Sequence, residues 1–140
     1  MTPMAGTPGY YVYKVVNKTS TKNVVNYGDE IARCSGSTSV TCTISRSADA
    51  TVQVSASFGL TKGWVSGQLG ITAGATVSTG VSCSAAVSSI KALVAYPYTT
   101  RYRYQIQKVV GPTGHVVDTS GYLYAFKPNK ASAYCRIETK

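Results

Sequence analysis

TISRSADATVQVSASF (residues 43–58) and VSGQLGITAGATVSTGVSC (residues 65–83) decide the fold class. In the first stretch Ile44, Ala48, Ala50, Val52, Val54, Ala56 and Phe58 occupy even positions, with Ser, Thr, Gln and Asp between them. Only Arg46 interrupts the apolar set. In the second stretch Val65, Leu69, Ile71, Ala73, Ala75, Val77, Val81 and Cys83 occupy odd positions. Strict period-two alternation is the signature of a half-buried strand. GLTKG (residues 59–63) reads as a turn between the two. Folding back there pairs even with odd positions and brings both apolar sets to one face. The expectation is a long amphipathic hairpin over residues 43–83. Its arms would each run to about 50–60 Å if straight. Most strands are far shorter, so the arms must bend or change sheets, and Gly67, Gly70, Gly74 and Gly80 offer the places.

Outward from the hairpin the chain remains strand-like. MTPMAGTPG (residues 1–9) is rich in Pro and Gly and reads as a flexible N-terminal arm. YYVYKVV (residues 10–16) is aromatic and β-branched, hence a strand. Residues 17–22 read as a turn, followed by a short return strand over 24–27. On the far side Tyr96, Tyr98, Thr100, Tyr102, Tyr104 and Ile106 alternate with Thr99, Arg101, Arg103, Gln105 and Gln107. Further short strands are expected over 115–118, 122–126 and 133–137. Only residues 85–95 have the composition for a turn or two of helix. Residues 10–140 are therefore read as a single all-β domain, an antiparallel β-sandwich with one long amphipathic hairpin and two disulfides.

Charged residues make up 14% of the 140, so Ser and Thr carry much of the polarity, as suits outward strand faces. The net charge of +9 is scattered and builds no helix face. It reads first as a solubility charge, with attraction to an anionic surface such as a cell-wall glycan or a membrane, or to an acidic partner, as the alternative; no nucleic-acid motif accompanies it. Four cysteines fit two disulfides in an oxidising compartment. No C-x-x-C pair exists and His115 is the only histidine, so metal binding is not expected. No signal peptide and no apolar run of membrane-spanning length occurs, so the expectation is a mature secreted protein without a stable membrane span. Two pairings of Cys34, Cys42, Cys83 and Cys135 stand side by side. Cys42–Cys83 would cross the open end of the hairpin and leave Cys34–Cys135. Cys34–Cys42 would close a short loop and leave Cys83–Cys135 to tie the hairpin to the last strand.

No catalytic centre is legible. His115 is the only imidazole base, with Asp118 three residues on, but there is no G-x-S-x-G elbow. Asp29, Glu30, Asp49, Asp118 and Glu138 are the only carboxylates, and nothing selects a glycosidase pair. Phosphate loops, dinucleotide fingerprints and EF-hands are absent from the sequence, so neither an enzyme nor a cofactor is expected. The Tyr96–Tyr104 stripe is read as core, with a sugar- or protein-binding platform as its alternative. Pro8, Gly9, Tyr10 and Tyr11, where an arm ends in aromatics, and Arg101 and Arg103 form the candidate partner-binding set.

GWVSGQLGI (63–71), YTTRYRYQI (98–106) and SGYLYAF (120–126), with the four cysteines, resemble small secreted β proteins of Streptomyces and related actinomycetes. Among proteins of that kind are the adaptor subunits of umbrella toxin particles, which join a lectin-bearing subunit to the ring of a large polymorphic toxin. The resemblance implies a non-enzymatic adaptor whose partners are other secreted proteins of a bacterial antagonism complex. The Ser/Thr/Val hairpin is also similar to the insertion hairpin of aerolysin-type toxins, which implies a small pore-forming protein. A carbohydrate- or cell-wall-binding module is the third reading.

Overall fold

The structure, a computed structural model, describes residues 10–140. It is all-β apart from one short helix and is an antiparallel sandwich with two disulfides. Its longest regular alternation outside the hairpin sits at the centre. TRYRYQIQ (residues 100–107) alternates without a break, and Tyr98–Val110 forms a single strand, β7. Tyr11–Val25 (β1) runs antiparallel along one side of it. Val116–Thr119 (β8) and Leu123–Pro128 (β9) lie end to end along the other, and Gln53–Val54 (β4) adds to β9. These strands form a five-stranded sheet.

β1 corrects the expected turn and return strand. Asn17 and Asn23 adopt φ of 54° and 59° beside two register shifts, so residues 17–22 stay in the strand and bulge. Asn tolerates the left-handed region better than most residues, which lets the chain absorb an extra residue without reversing.

A three-stranded sheet has Lys91–Tyr96 (β6) at its centre, between Ala32–Ser35 (β2) and Tyr134–Thr139 (β10). β6 takes residues 91–95 of the stretch expected as helix. Val94, Ala92 and Leu93 are buried from both faces, and such an apolar run reads equally as helix or central strand. Pro97, buried and without an N–H, passes the chain from β6 in one sheet to β7 in the other.

The hairpin forms in part. Val40–Thr51 (β3) and Thr76–Val87 (β5) pair over twelve residues each in one unbroken register. Cys42, Ile44, Ala48, Val81 and Val87 turn inward and pack on Leu93, Ala95 and Ala32 of the three-stranded sheet. Arg46 pairs across from Val81 but carries its side chain to solvent, a charge on an edge strand that opposes further pairing. Between residues 52 and 75 the hairpin opens. β4 leaves to join β9, and Lys62–Leu69 forms a helix (α1) where the turn and second arm were expected. Thr61 caps it by accepting from Trp64 N at 3.0 Å, and Gly70 ends it at φ 76°. Val65 and Leu69, four residues apart, are buried against Tyr104, Ile106 and Ala125.

The disulfides are Cys34–Cys42 and Cys83–Cys135. Each ties one arm of the β3–β5 ribbon to one outer strand of the three-stranded sheet. The register excludes the other pairing, because Cys83 lies opposite Ile44 and Cys42 opposite Ala85. Among the described residues no helix is long and apolar enough to cross a membrane.

Candidate functional site

The regularity of β7 sorts its side chains onto two faces. Tyr102, Tyr104 and Ile106 point into the core. Tyr104 is wholly buried and its hydroxyl donates to the Ser55 carbonyl. Burial pushes that hydroxyl up to about 12, against which the Ser55 hydrogen bond acts only partly. The core reading of the stripe holds here for Tyr102 and Tyr104.

Residues paired directly across antiparallel strands share a face. One row across the outer face runs Thr21, Arg101, Phe126 and Gln53, and the next Thr19, Arg103 and Tyr124. The Arg103 guanidinium lies 3.4 Å from the centre of the Tyr122 ring, and that of Arg101 lies 5.4 Å from Tyr124. Stacking fixes the plane of each guanidinium and leaves donors free to face outward. The Nε of Arg101 is buried and has no hydrogen-bond partner. Gln105 is held by the Asn17 amide at 2.8 Å and itself donates to the Ser120 carbonyl. A groove of about 470 Å³ borders this face where Gln53, Lys62, Tyr124 and Phe126 meet.

No carboxylate reaches either arginine among the described residues, and residues 1–9 contain none. Glu30 and Glu138 pair with Arg33 and Arg136 at 2.8 and 2.6 Å. Asp29 accepts from Thr51 N, and Asp118 from Thr119 N. Asp49 sits on the ribbon opposite Ser78.

A second cluster, which sequence reasoning missed, covers the three-stranded sheet. Tyr27, Tyr96, Tyr98 and Tyr134 meet edge to face at 5.2–6.1 Å between ring centres. Arg136 lies 4.1 Å from the Tyr27 ring, and Glu138 accepts from both Tyr96 Oη at 2.5 Å and Arg136 Nε. The Tyr96 hydroxyl and then the Arg136 guanidinium hold the Glu138 carboxyl below the usual carboxylate range. Burial first, and the Glu138 carboxylate second, raise the Tyr96 hydroxyl above its own. The signal in the sequence is the alternation Tyr134, Arg136, Glu138, legible only once β10 is known to lie beside Tyr96. Tyr27 is half exposed at the centre of this cluster.

The expected site residues separate. Pro8 and Gly9 lie outside the described residues. The Tyr10 ring rests on Gly111 so closely that a Cβ there would sit 1.8 Å from it, so Tyr10 is engaged within the domain. Tyr11 is exposed beneath Lys108, whose Nζ lies 4.2 Å from the ring centre. Lys108 sits about 23 Å along β7 from Arg101, and Tyr11, paired with Val110, about 30 Å. His115 is exposed in the turn before β8, and Asp118 is committed to Thr119 N. No group of three or more His, Cys, Asp or Glu that could hold a metal exists among the described residues. Comparison of the chain with protein-family models and with curated proteins returns no match.

Proposed function

We propose that the protein is a secreted, non-enzymatic adaptor that joins two other proteins of an extracellular complex, as adaptor subunits of bacterial toxin particles do. The observation that carries this reading is the outer face of the five-stranded sheet. There Arg101 and Arg103 are stacked on tyrosines and no carboxylate of the chain answers them. Arginine and tyrosine are the side chains that most often anchor protein interfaces. A second tyrosine–arginine cluster, around Tyr27, lies on the other sheet. Two such surfaces on one disulfide-tied body suit a bridge between partners, and two disulfides suit an oxidising, extracellular setting.

A glycan-binding module is the second reading, favoured by the Tyr122, Tyr124 and Phe126 line beside Gln105 and Gln107. The pore-forming reading is disfavoured, because both arms of the ribbon are covalently tied to the neighbouring sheet.

Affinity capture from the producing culture's supernatant tests the adaptor. Two distinct proteins should co-purify with the wild type. Arg101→Glu with Arg103→Glu should lose one of them, and Tyr27→Ala with Tyr134→Ala should lose the other. Capture of a single protein, or loss of both by either variant, would overturn the two-surface reading.

A further inference from the structure

We infer that the Arg101–Arg103 face binds an extended acidic segment of a partner protein, one that carries carboxylates at alternate positions. The inference rests on the adaptor reading and names the chemistry of one of its two partners. Arg101 and Arg103 are two residues apart on one strand, so their guanidinium groups repeat at about 6.8 Å. An extended chain presents alternate side chains on one face with that same repeat, and it can lie flat along the strand. A peptide of pattern acid-x-acid, laid along β7, would therefore bring one carboxylate to each guanidinium.

The remaining features of the face fit this occupant. Contact with the Tyr122 ring at 3.4 Å restrains the Arg103 guanidinium before binding, and Tyr124 lies 5.4 Å from that of Arg101, so less side-chain freedom is lost when a carboxylate docks. A planar fork matches a carboxylate bidentately, which an ammonium cannot do. The Nε of Arg101 is already out of water and unpartnered. Thr19 and Thr21, paired across from Arg103 and Arg101, supply neutral hydrogen-bonding groups for the segment's backbone. Lys62, in the adjoining groove, adds a further cation at the border. Within a chain of net charge +9, all five acids lie elsewhere, so nothing intramolecular competes.

Fluorescence anisotropy with short labelled peptides tests the proposal directly. One peptide alternates Glu with Thr. A second has the same composition with its glutamates in a block. Polygalacturonate serves as a competing anionic glycan. The alternating peptide should bind about tenfold more tightly than the block peptide, the equivalent of one well-made charged contact. Arg103→Glu should abolish binding, and Arg103→Lys, which keeps the charge without the fork, should weaken it severalfold. Near-ultraviolet circular dichroism identical to wild type would show that each variant is folded. Equal affinity for both peptides would overturn the proposal, because it would mean charge attraction without register. Unchanged binding by Arg103→Lys, or displacement of the peptide by polygalacturonate at matched carboxylate concentration, would also overturn it, the latter in favour of a glycan. Peptide binding without bridging in the supernatant would sink the adaptor reading alone. Bridging that survives Arg103→Glu would sink this inference alone.

Discussion

Between the three-stranded sheet and the β3–β5 ribbon, the buried side chains are Ala32, Ile44, Ala48, Val81, Val87, Leu93 and Ala95. Between the five-stranded sheet and α1 they are Tyr104, Ile106, Val65, Leu69, Val52 and Val54, flanked by Trp64 and Phe58. Burial stabilises roughly in proportion to the apolar area removed from water. The first set is poorer in that area, and it is the half that carries both disulfides. The second has large rings and no disulfide. Small inward residues let the two layers approach closely, and cross-links then supply what the thin core does not. The sharpest way to break this contrast is to remove the cross-links one at a time.

Cys83–Cys135 closes a sequence separation of 52 residues and Cys34–Cys42 one of 8. By loop-closure entropy the long bridge contributes about 4 kcal/mol and the short one about 2.5 kcal/mol. Cys83→Ala with Cys135→Ala should therefore lower the unfolding free energy by more than Cys34→Ala with Cys42→Ala, as read from urea titrations. In hydrogen exchange, both variants should lose protection first in β3 and β5, while β7 amides stay protected. Loss of protection that begins in β7 would show that the ribbon half supports the other, against the comparison. A larger loss from the short bridge would mean that packing around Cys42, which is 1% exposed, outweighs chain entropy.

The same contrast explains what the sequence let one read. The alternation of residues 43–51 and 76–83 was legible because a ribbon buried on one face needs nothing else. Residues 52–75 misled because Val65 and Leu69 satisfy a period of two and a helical step of four equally well. The cap at Thr61 and the stop at Gly70 were the discriminating signals, and both lay inside a stretch read as turn and strand. The cysteine pairing stayed open because a register offset of two residues moves Cys83 from Cys42 to Ile44 without changing its face. Arg101 and Arg103 were legible as one face of β7. Their stacking partners Tyr122 and Tyr124 were not, since the β7–β9 register is a long-range fact. The Tyr27 cluster required three strands and a connecting segment to be placed first.

In the half without disulfides, the contact to test is Tyr104. Tyr104→Phe keeps the ring and removes the donor to the carbonyl of Ser55, an exposed residue, so it costs about 0.5–1.5 kcal/mol, the net worth of one hydrogen bond. The wild-type hydroxyl also makes this half sensitive to alkali. Its folded value near 12 stands above the ordinary 10.0, so the unfolded chain releases its proton first. The stabilisation is whole below pH 10 and is lost as the pH climbs towards about 12. Tyr104→Phe should flatten the stability profile over that window. An unchanged alkaline limb in urea titrations would show that Tyr104 does not govern it.

The smallest expected effect lies on the outer face of the same half. Arg103 is exposed, its guanidinium contacts the Tyr122 ring, and it makes no salt bridge among the described residues. An exposed cation–π contact is worth about 0.5–1 kcal/mol at most sites, and β7 loses no buried group when the side chain is cut. Arg103→Ala should thus shift the unfolding free energy by no more than about 0.5–1 kcal/mol, well under either disulfide. Arg136, by contrast, is bound to Glu138 and lies over Tyr27. Arg136→Ala takes away both contacts and leaves Glu138 only the Tyr96 hydroxyl, so it should cost more than Arg103→Ala. Thermal unfolding of the two variants side by side decides the matter. If Arg103→Ala is the more destabilising, the stacked pair is part of the scaffold, and a face that the protein needs for its own stability is a poor candidate for a partner's site. If it is nearly silent, the stacked arginines are held in place without serving the fold, which is the condition a recognition surface must meet.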